Sequence, residues 1–154
     1  MLKANVFRYN DVQITDDGRT LLFTYEVVSD TDTYQFQETL ALPVAIAEKL
    51  SDTFVNAVLR DLHLILGISY FKAFCPSSID TGSIKLVKEQ AEFWNTVFTK
   101  GLGEFYYRNN IDYRGLVSFP FSDAAIAPTH IPTKDTAITG MSGGKDSLVT
   151  VELL

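Results

Sequence analysis

Six consecutive residues near the end of the sequence combine features that suit phosphate binding. They read SGGKDS and are followed by LVTVELL, which favours a helix. Adjacent glycines let backbone N–H groups approach phosphate oxygens, and a helix N-terminus adds a partial positive charge. The hydroxyls and the lysine add donors, whereas the aspartate suits Mg²⁺ or a backbone N–H. The candidate ligand-binding residues are Ser142, Gly143, Gly144, Lys145, Asp146 and Ser147.

The spacing of these residues excludes two common nucleotide motifs. A Walker A loop reads G-x-x-x-x-G-K-[ST], but Thr139 stands where its first glycine belongs and Asp146 follows the lysine. The dinucleotide pattern G-x-G-x-x-G is absent as well. A simpler alternative is a Gly-Gly turn capped by Asp146 or Ser147 at a helix start. The β-prone run TAITGM before the glycines favours a strand–loop–helix unit instead.

The elements before this loop indicate an α+β domain. Residues 5–42 alternate apolar and polar side chains around an Asp-Gly turn in TDDGRT and a second turn in SDTDT, which predicts an antiparallel hairpin sheet with one buried face. Pro43 suits a first helical turn. Apolar residues from Phe54 to Leu66 recur at helical spacing in a broad stripe, which predicts a deeply buried helix.

The middle of the chain predicts a loop and a second helical region. CPSSIDTGS is a loop by composition. In the region that follows, Ala91, Trp94, Val97 and Phe98 form one helical face, and Gly101 and Gly103 should end or kink it. We therefore predict an α+β N-terminal domain over 1–115, a linker over 116–135 and the start of an α/β nucleotide-binding domain over 136–154.

Composition indicates a cytoplasmic protein. Thirteen basic and nineteen acidic residues give a net charge of −6, and the absence of a Lys/Arg cluster argues against nucleic acid as a partner. A single cysteine permits no internal disulfide and suits a reducing compartment. The longest apolar run, LHLILGISYF, is short for a membrane span, so we expect no membrane association.

Other polar residues have an ordinary explanation that outweighs a catalytic one. His63 at the edge of an apolar helix face is expected to be a satisfied core or boundary residue, and Cys75 a buried structural thiol. His130 lies in the loop APTHIP before the predicted strand and could touch a ligand. Arg108 and Arg114 could grip a phosphate or carboxylate. The catalytic base and the oligomeric state stay undetermined.

The loop resembles the S-G-G-x-D-S signature of the PP-loop ATP pyrophosphatases, and Ser142–Ser147 match it at every fixed position. That family includes the enzymes that make GMP, NAD and asparagine and those that thiolate tRNA. The resemblance implies that the loop holds the phosphates of ATP, with Mg²⁺ and with Asp146 as a candidate metal ligand. It also implies cleavage of ATP between its α and β phosphates and transfer of AMP to a substrate oxygen.

A second resemblance concerns residues 60–154. LILGISYFKAFCP, FWNTVFTKGLGEFYYRNNID and SGGKDS together resemble the ATP-dependent UDP-N-acetylmuramoyl-L-alanyl-L-glutamate epimerases. This implies an isomerase of peptidoglycan precursor synthesis that inverts the terminal glutamate of a UDP-linked muramoyl dipeptide through an adenylated carboxylate. Another PP-loop adenylating ligase or thiolase, or a non-catalytic nucleotide-binding module, stays open as an alternative.

The position of the loop suggests an incomplete nucleotide domain. Such a fold needs several parallel strands with helices on both faces, and 136–154 can supply only the first strand, the loop and part of one helix. We therefore expect the chain to be a fragment with little catalytic activity alone.

Overall fold

The computed structural model describes residues 4–46, 52–123, 135, 139–140 and 142–154. A four-stranded sheet is covered on one face by helices. The strands are β1 Ala4–Ile14, β2 Thr20–Ser29, β3 Thr33–Ala41 and β4 Ser78–Asp80. The helices are α1 Asp52–Leu66, α2 Ile68–Phe74, α3 Lys88–Lys100, α4 Gly103–Arg108 and α5 Lys145–Leu153. The α+β prediction is therefore confirmed for the part that precedes the loop.

The two predicted hairpins are confirmed. β1 pairs antiparallel with β2, and β2 with β3. In the first turn Gly18 adopts a φ of +66° and its N–H donates to the carbonyl of Thr15 over 2.8 Å, a left-handed conformation that glycine adopts without a steric penalty. In the second turn the Ser29 N–H donates to the carbonyl of Asp32 over 2.8 Å.

Alternation along β1 and β2 places large apolar side chains on one face of the sheet. These side chains are wholly buried and form the centre of the core with Phe71 and Phe98. Burial of this much aromatic surface is the main stabilising contribution to the domain. The inward residues of the two strands are Phe7, Tyr9, Phe23, Tyr25 and Val27.

The end of α1 is fastened to the sheet by two buried tyrosines. Tyr9 donates to the carbonyl of Leu64 over 3.2 Å, and Tyr25 to that of His63 over 3.1 Å. The last carbonyls of a helix lack partners within the helix, so the Tyr9 hydroxyl satisfies the carbonyl of Leu64. The carbonyl of His63 accepts from both Tyr25 and the N–H of Gly67, the latter 3.2 Å away. Gly67 makes the approach possible, since a Cβ there would lie 2.7 Å from Cε1 of Tyr9.

Two expectations for the first helix are wrong. Pro43 lies in a non-helical bend, because the N–H groups of Leu42 and Ile46 donate to the carbonyls of Arg19 and Gly18 and tie this segment to the first turn. The described helix begins at Asp52.

Burial of α1 is also shallower than its sequence suggests. Only Leu59, His63 and Leu64 are buried, whereas Val58 and Ile65 are 41% and 38% exposed. The helix packs on the sheet along one side, so the broad apolar stripe covers more of its surface than the sheet can cover.

The segment predicted as the loop CPSSIDTGS contains β4, which pairs parallel with β1 from Val6 to Arg8. The sheet has the order β3-β2-β1-β4 and is mixed rather than purely antiparallel. Ser77 and Ser78 donate through their hydroxyls to the carbonyl of Asn5, over 3.0 and 2.9 Å. Contacts across more than 70 residues thus form this strand, and local composition did not indicate it.

A longer apolar stretch is present than the run LHLILGISYF suggested. Asp52–Phe74 spans 23 residues and contains a window with a mean hydropathy of 1.3, so its length and composition would allow a membrane crossing. One such stretch is weak evidence for a membrane span, because core helices of soluble proteins meet the same criteria of length and hydropathy. Here it comprises α1 and α2, carries Arg60 and Asp61, and places Leu64 and Phe71 in the core.

Candidate functional site

The glycines of the SGGKDS loop lead directly into helix α5. Gly143 has a φ of +76°, and Gly144 is extended at the N-cap position with no side-chain hydrogen bond capping the helix. The first N–H groups of a helix have no partner within the helix. Among the described residues, no side chain caps the start of α5, as a phosphate-binding helix terminus would require.

Hydroxyl groups in α5 bond to the carbonyls of the helix. Ser147 donates to the carbonyl of Gly144 over 2.8 Å, and Thr150 donates to that of Asp146 over 2.8 Å. The alternative of a Gly-Gly turn capped by Asp146 or Ser147 is thus not the geometry observed. None of the described residues lies within 4 Å of a Cβ built on Gly143, and Lys145 and Asp146 are exposed, so this part of the chain leaves the loop open to a ligand.

The strand predicted before the loop, over 136–141, lies mostly outside the described residues. Thr139 and Gly140 are described and belong to no strand. Within the described parts of the chain, no three His, Cys, Asp or Glu side chains group to hold a metal ion. Asp146 as a metal ligand stays a prediction.

The two candidate arginines are engaged by neighbours on their own segments. Arg108 contacts Glu104 one helical turn away, with Nε 3.0 Å from the carboxylate. Arg114 donates two hydrogen bonds to Asp112, with Nε and an Nη each 2.8 Å from a carboxylate oxygen. This contact lowers the pKa of Asp112 to about 2. Both guanidinium groups are exposed, so such pairs contribute little stability, and their role as anion ligands stays a prediction.

Of the two histidines, His63 is a core residue as expected. It is 1% exposed, and its Nε2 lies 3.1 Å from the carbonyl of Thr24. His130 lies outside the described residues. Cys75 is half-buried and has a left-handed φ of 46°. Burial raises the pKa of its thiol, which suits an unreactive structural cysteine.

Burial of His63 predicts a dependence of stability on pH. Desolvation lowers the pKa of this imidazole below its usual 6.5, so the unfolded chain binds the proton more readily than the folded chain. The stabilisation is complete above pH 6.5 and decreases as the pH falls below it, with a slope of at most about 1.4 kcal/mol per pH unit. Urea unfolding at pH 7.5, 6.5 and 5.5 measures this.

The matched variant for this measurement is His63→Gln, whose amide can still donate to the carbonyl of Thr24. Its free energy of unfolding should vary less between pH 7.5 and 5.5 than that of the unsubstituted chain. Equal slopes in the two proteins would show that His63 is not the titrating group.

One polar network escaped the sequence analysis because its members are far apart in the chain. Arg8 donates through Nε to Asp80 over 2.9 Å and through Nη1 to Glu26 over 3.1 Å, on the sheet face away from the helices. The N–H of Gly82 and the guanidinium of Arg8 both lower the pKa of Asp80. This network links β1, β2 and β4, and no sequence motif could have indicated it.

Comparisons with known proteins give one consistent result. Residues 1–154 match the MurL N-terminal domain. The UDP-N-acetyl-alpha-D-muramoyl-L-alanyl-L-glutamate epimerase of Xanthomonas oryzae pv. oryzae (strain MAFF 311018) is 40% identical over 99% of this chain and 34% of its own length. Epimerases of the same name from Micromonospora sp. (strain ATCC 39149 / NRRL 15099 / SCC 1413) and Salinispora tropica (strain ATCC BAA-916 / DSM 44818 / JCM 13857 / NBRC 105044 / CNB-440) are 31% and 30% identical, each over 86% of this chain and 30% of their own length.

The chain spans about a third of the length of these curated relatives. No solved structure matches it. The resemblance deduced from the central segments and the loop is therefore confirmed at the level of the family, and it extends over the whole chain. This chain belongs to the MurL N-terminal domain family.

Proposed function

We propose that this chain serves in the epimerisation of the terminal L-glutamate of a UDP-N-acetylmuramoyl-L-alanyl-L-glutamate, a step in peptidoglycan precursor synthesis. The observation that carries the proposal is the family match over residues 1–154, together with relatives named for this activity. Since UDP-linked precursors are soluble nucleotides, the proposed location is the cytoplasm. The single cysteine of the chain is compatible with that compartment.

We propose further that the reaction uses ATP and Mg²⁺, with the loop Ser142–Ser147 holding phosphate. The left-handed Gly143, the uncapped start of α5 and the exposed Lys145 support this. Backbone N–H groups at the start of the helix would contact phosphate oxygens, and the ammonium of Lys145 would offset their charge. Asp146 is the proposed contact to Mg²⁺, because hard cations prefer carboxylate oxygens.

The role of ATP in such a reaction follows from charge. Removing the α-proton of a free glutamate places a second negative charge beside a carboxylate, and the repulsion is severe in a partly dry site. ATP, when bound, would supply an AMP group to the carboxylate oxygen with release of pyrophosphate, which would remove the carboxylate charge and make the α-proton more acidic. A base would then take the proton, and its return from the opposite face would give the D-configuration. Hydrolysis by water would finally release AMP and restore the carboxylate.

The proposal is tested on the longest natural form of the protein with ATP, Mg²⁺ and the L-glutamyl substrate. Phosphorus NMR distinguishes AMP from ADP, and chiral chromatography after acid hydrolysis measures D-glutamate. We expect AMP, pyrophosphate and D-glutamate, all dependent on the substrate. The matched control is UDP-N-acetylmuramoyl-L-alanine, which lacks the glutamate and should yield neither AMP nor D-glutamate.

Three other outcomes would contradict parts of the proposal. Formation of ADP would refute the PP-loop chemistry. AMP without D-glutamate would point to an adenylating ligase. The absence of both AMP and D-glutamate would refute the enzymatic function itself and favour a nucleotide-binding module.

A further inference from the structure

A cleft of about 610 Å³ with a mixed polar and apolar lining lies beside the sheet, between the middle of β1, helix α1 and the segment that joins β4 to α3. We call it the bulge cleft. Its polar lining comes from three segments that are distant in the sequence and includes two cations, one carboxylate and several neutral donors. The residues used below are Asn10, Asp11, Thr53, Asn56, Arg60 and Lys85.

An irregularity in β1 forms one wall of the cleft. Tyr9 pairs with Tyr25 and Val12 with Phe23, so two residues, Asn10 and Asp11, lie opposite Thr24 alone. Thr24 stabilises this bulge, accepting from the N–H of Asp11 over 3.0 Å and donating to its carbonyl over 3.1 Å. Bulges redirect side chains and occur often beside active sites.

The segment that joins β4 to α3 forms a second wall, and Gly82 allows it to approach β1 closely. Gly82 has a φ of +56°, and a Cβ there would lie 2.5 Å from the carbonyl oxygen of Tyr9. Its N–H donates to Asp80 over 2.9 Å, and the hydroxyl of Thr81 donates to the carbonyl of Ile84 over 3.0 Å. The segment that carries Lys85 is therefore held in place without a ligand.

One cation of the cleft, Lys85, is available to an anion. Lys85 forms no ion pair or hydrogen bond with any of the described residues. Arg60 binds Asp61, 2.9 Å from Nε, and Asp61 lies outside the lining. His63 adds no charge at neutral pH because burial lowers its pKa. With Arg60 paired to Asp61, Lys85 is the cation of the lining that has no partner among the described residues, and it faces one carboxylate, Asp11.

We propose that the bulge cleft binds a diphosphate, with Lys85 as the principal charge contact and the amides of Asn10 and Asn56 and the hydroxyl of Thr53 as neutral donors. Amides and hydroxyls supply the several hydrogen bonds that phosphate oxygens accept, and an ammonium binds phosphate as a point charge. Resting on the proposed function, the cleft is assigned to the diphosphate of the UDP-linked substrate rather than to that of ATP.

Inorganic pyrophosphate tests the cleft without any enzymatic activity. In ¹H–¹⁵N spectra of the 154-residue chain, pyrophosphate should shift the backbone amides of Asn10, Asn56 and Lys85. Lys85→Ala should weaken the affinity about tenfold, the effect of losing about 1.4 kcal/mol. Lys88→Ala is the matched control, because Lys88 lies three residues further along the chain, outside the lining and 3.9 Å from Glu92, and it should leave the affinity unchanged.

Two results of this titration would overturn the proposal. One is a shift confined to residues 142–147, which would place the anion at the loop. The other is an equal affinity for Lys85→Ala and the unsubstituted chain. Because Lys85 is exposed, its replacement should leave the fold intact, and unchanged dispersion of the spectrum verifies this.

A second experiment distinguishes the two sources of a diphosphate. In the longest natural form, Lys85→Ala should raise the KM for the UDP-linked substrate about tenfold and leave the KM for ATP unchanged. The reverse pattern would overturn the assignment to the substrate. If no form of the protein produced AMP or D-glutamate, the proposed function would fail, whereas the pyrophosphate titration would still decide whether the cleft is an anion site.

Discussion

Replacing Lys145 by alanine is expected to lower the rate of AMP formation about 100-fold in the longest natural form of the protein. Lys145 is the first residue of α5 and follows two glycines whose conformations leave the helix start uncapped. Its ammonium is the single full positive charge within Ser142–Ser147. Loss of one well-placed group that stabilises developing charge typically costs 10²–10³ in rate.

The loop prediction has a matched control on the same helix. Glu152 is exposed and lies about two turns after Lys145, so Glu152→Ala should leave AMP formation within about twofold. Phosphorus NMR of the reaction measures both variants. If Lys145→Ala retained the full rate while remaining folded, the loop would not be the phosphate site.

Replacing Phe7 by alanine is expected to lower the free energy of unfolding by about 3–5 kcal/mol, the usual cost of deleting a buried phenyl ring. Phe7 is 0% exposed and lies at the centre of the aromatic core. Its ring centroid lies 4.9 Å from that of Tyr9, 5.9 Å from Tyr25 and 6.1 Å from Phe71. The deletion would leave a cavity where β1, β2 and α2 meet.

The control for the core prediction is the same substitution at the surface. Phe93 on α3 is 59% exposed, and Phe93→Ala should cost less than about 1 kcal/mol. Urea unfolding monitored by circular dichroism measures both variants. Equal losses would mean that the centre of the core lies elsewhere or that the face carrying Phe93 is covered in solution.

Elements set by local patterns could be predicted from the sequence. The alternation in 5–42 and the Asp-Gly turn gave the hairpins, because a period of two side chains specifies which face is buried. Of the predicted face, Ala91, Trp94 and Phe98 are buried in α3, whereas Val97 is half-buried. Gly101 lies just after the end of this helix, and α4 begins at Gly103.

The failures share a physical cause, since each depends on contacts between distant residues. Pro43 was expected in a helix, but the backbone N–H groups of Leu42 and Ile46 on either side of it donate to carbonyls of the first turn. β4 is a strand because it pairs with β1, although its composition is that of a loop. The apolar residues of α1 did not reveal how many of them the sheet would cover, because burial depends on the partner surface.

The sequence by itself determined the hairpins and the family resemblance, and it predicts the loop Ser142–Ser147 as a phosphate site, because each resides in short runs whose types and spacing can be compared directly. Only the tertiary structure decided the parallel strand β4, the Arg8–Glu26–Asp80 network and the bulge cleft. Lys85, Asn10 and Asn56 line one cleft because β1 has a bulge and Gly82 allows the segment after β4 to approach β1 closely. Such a site has no motif, since its geometry comes from packing between residues far apart in the chain.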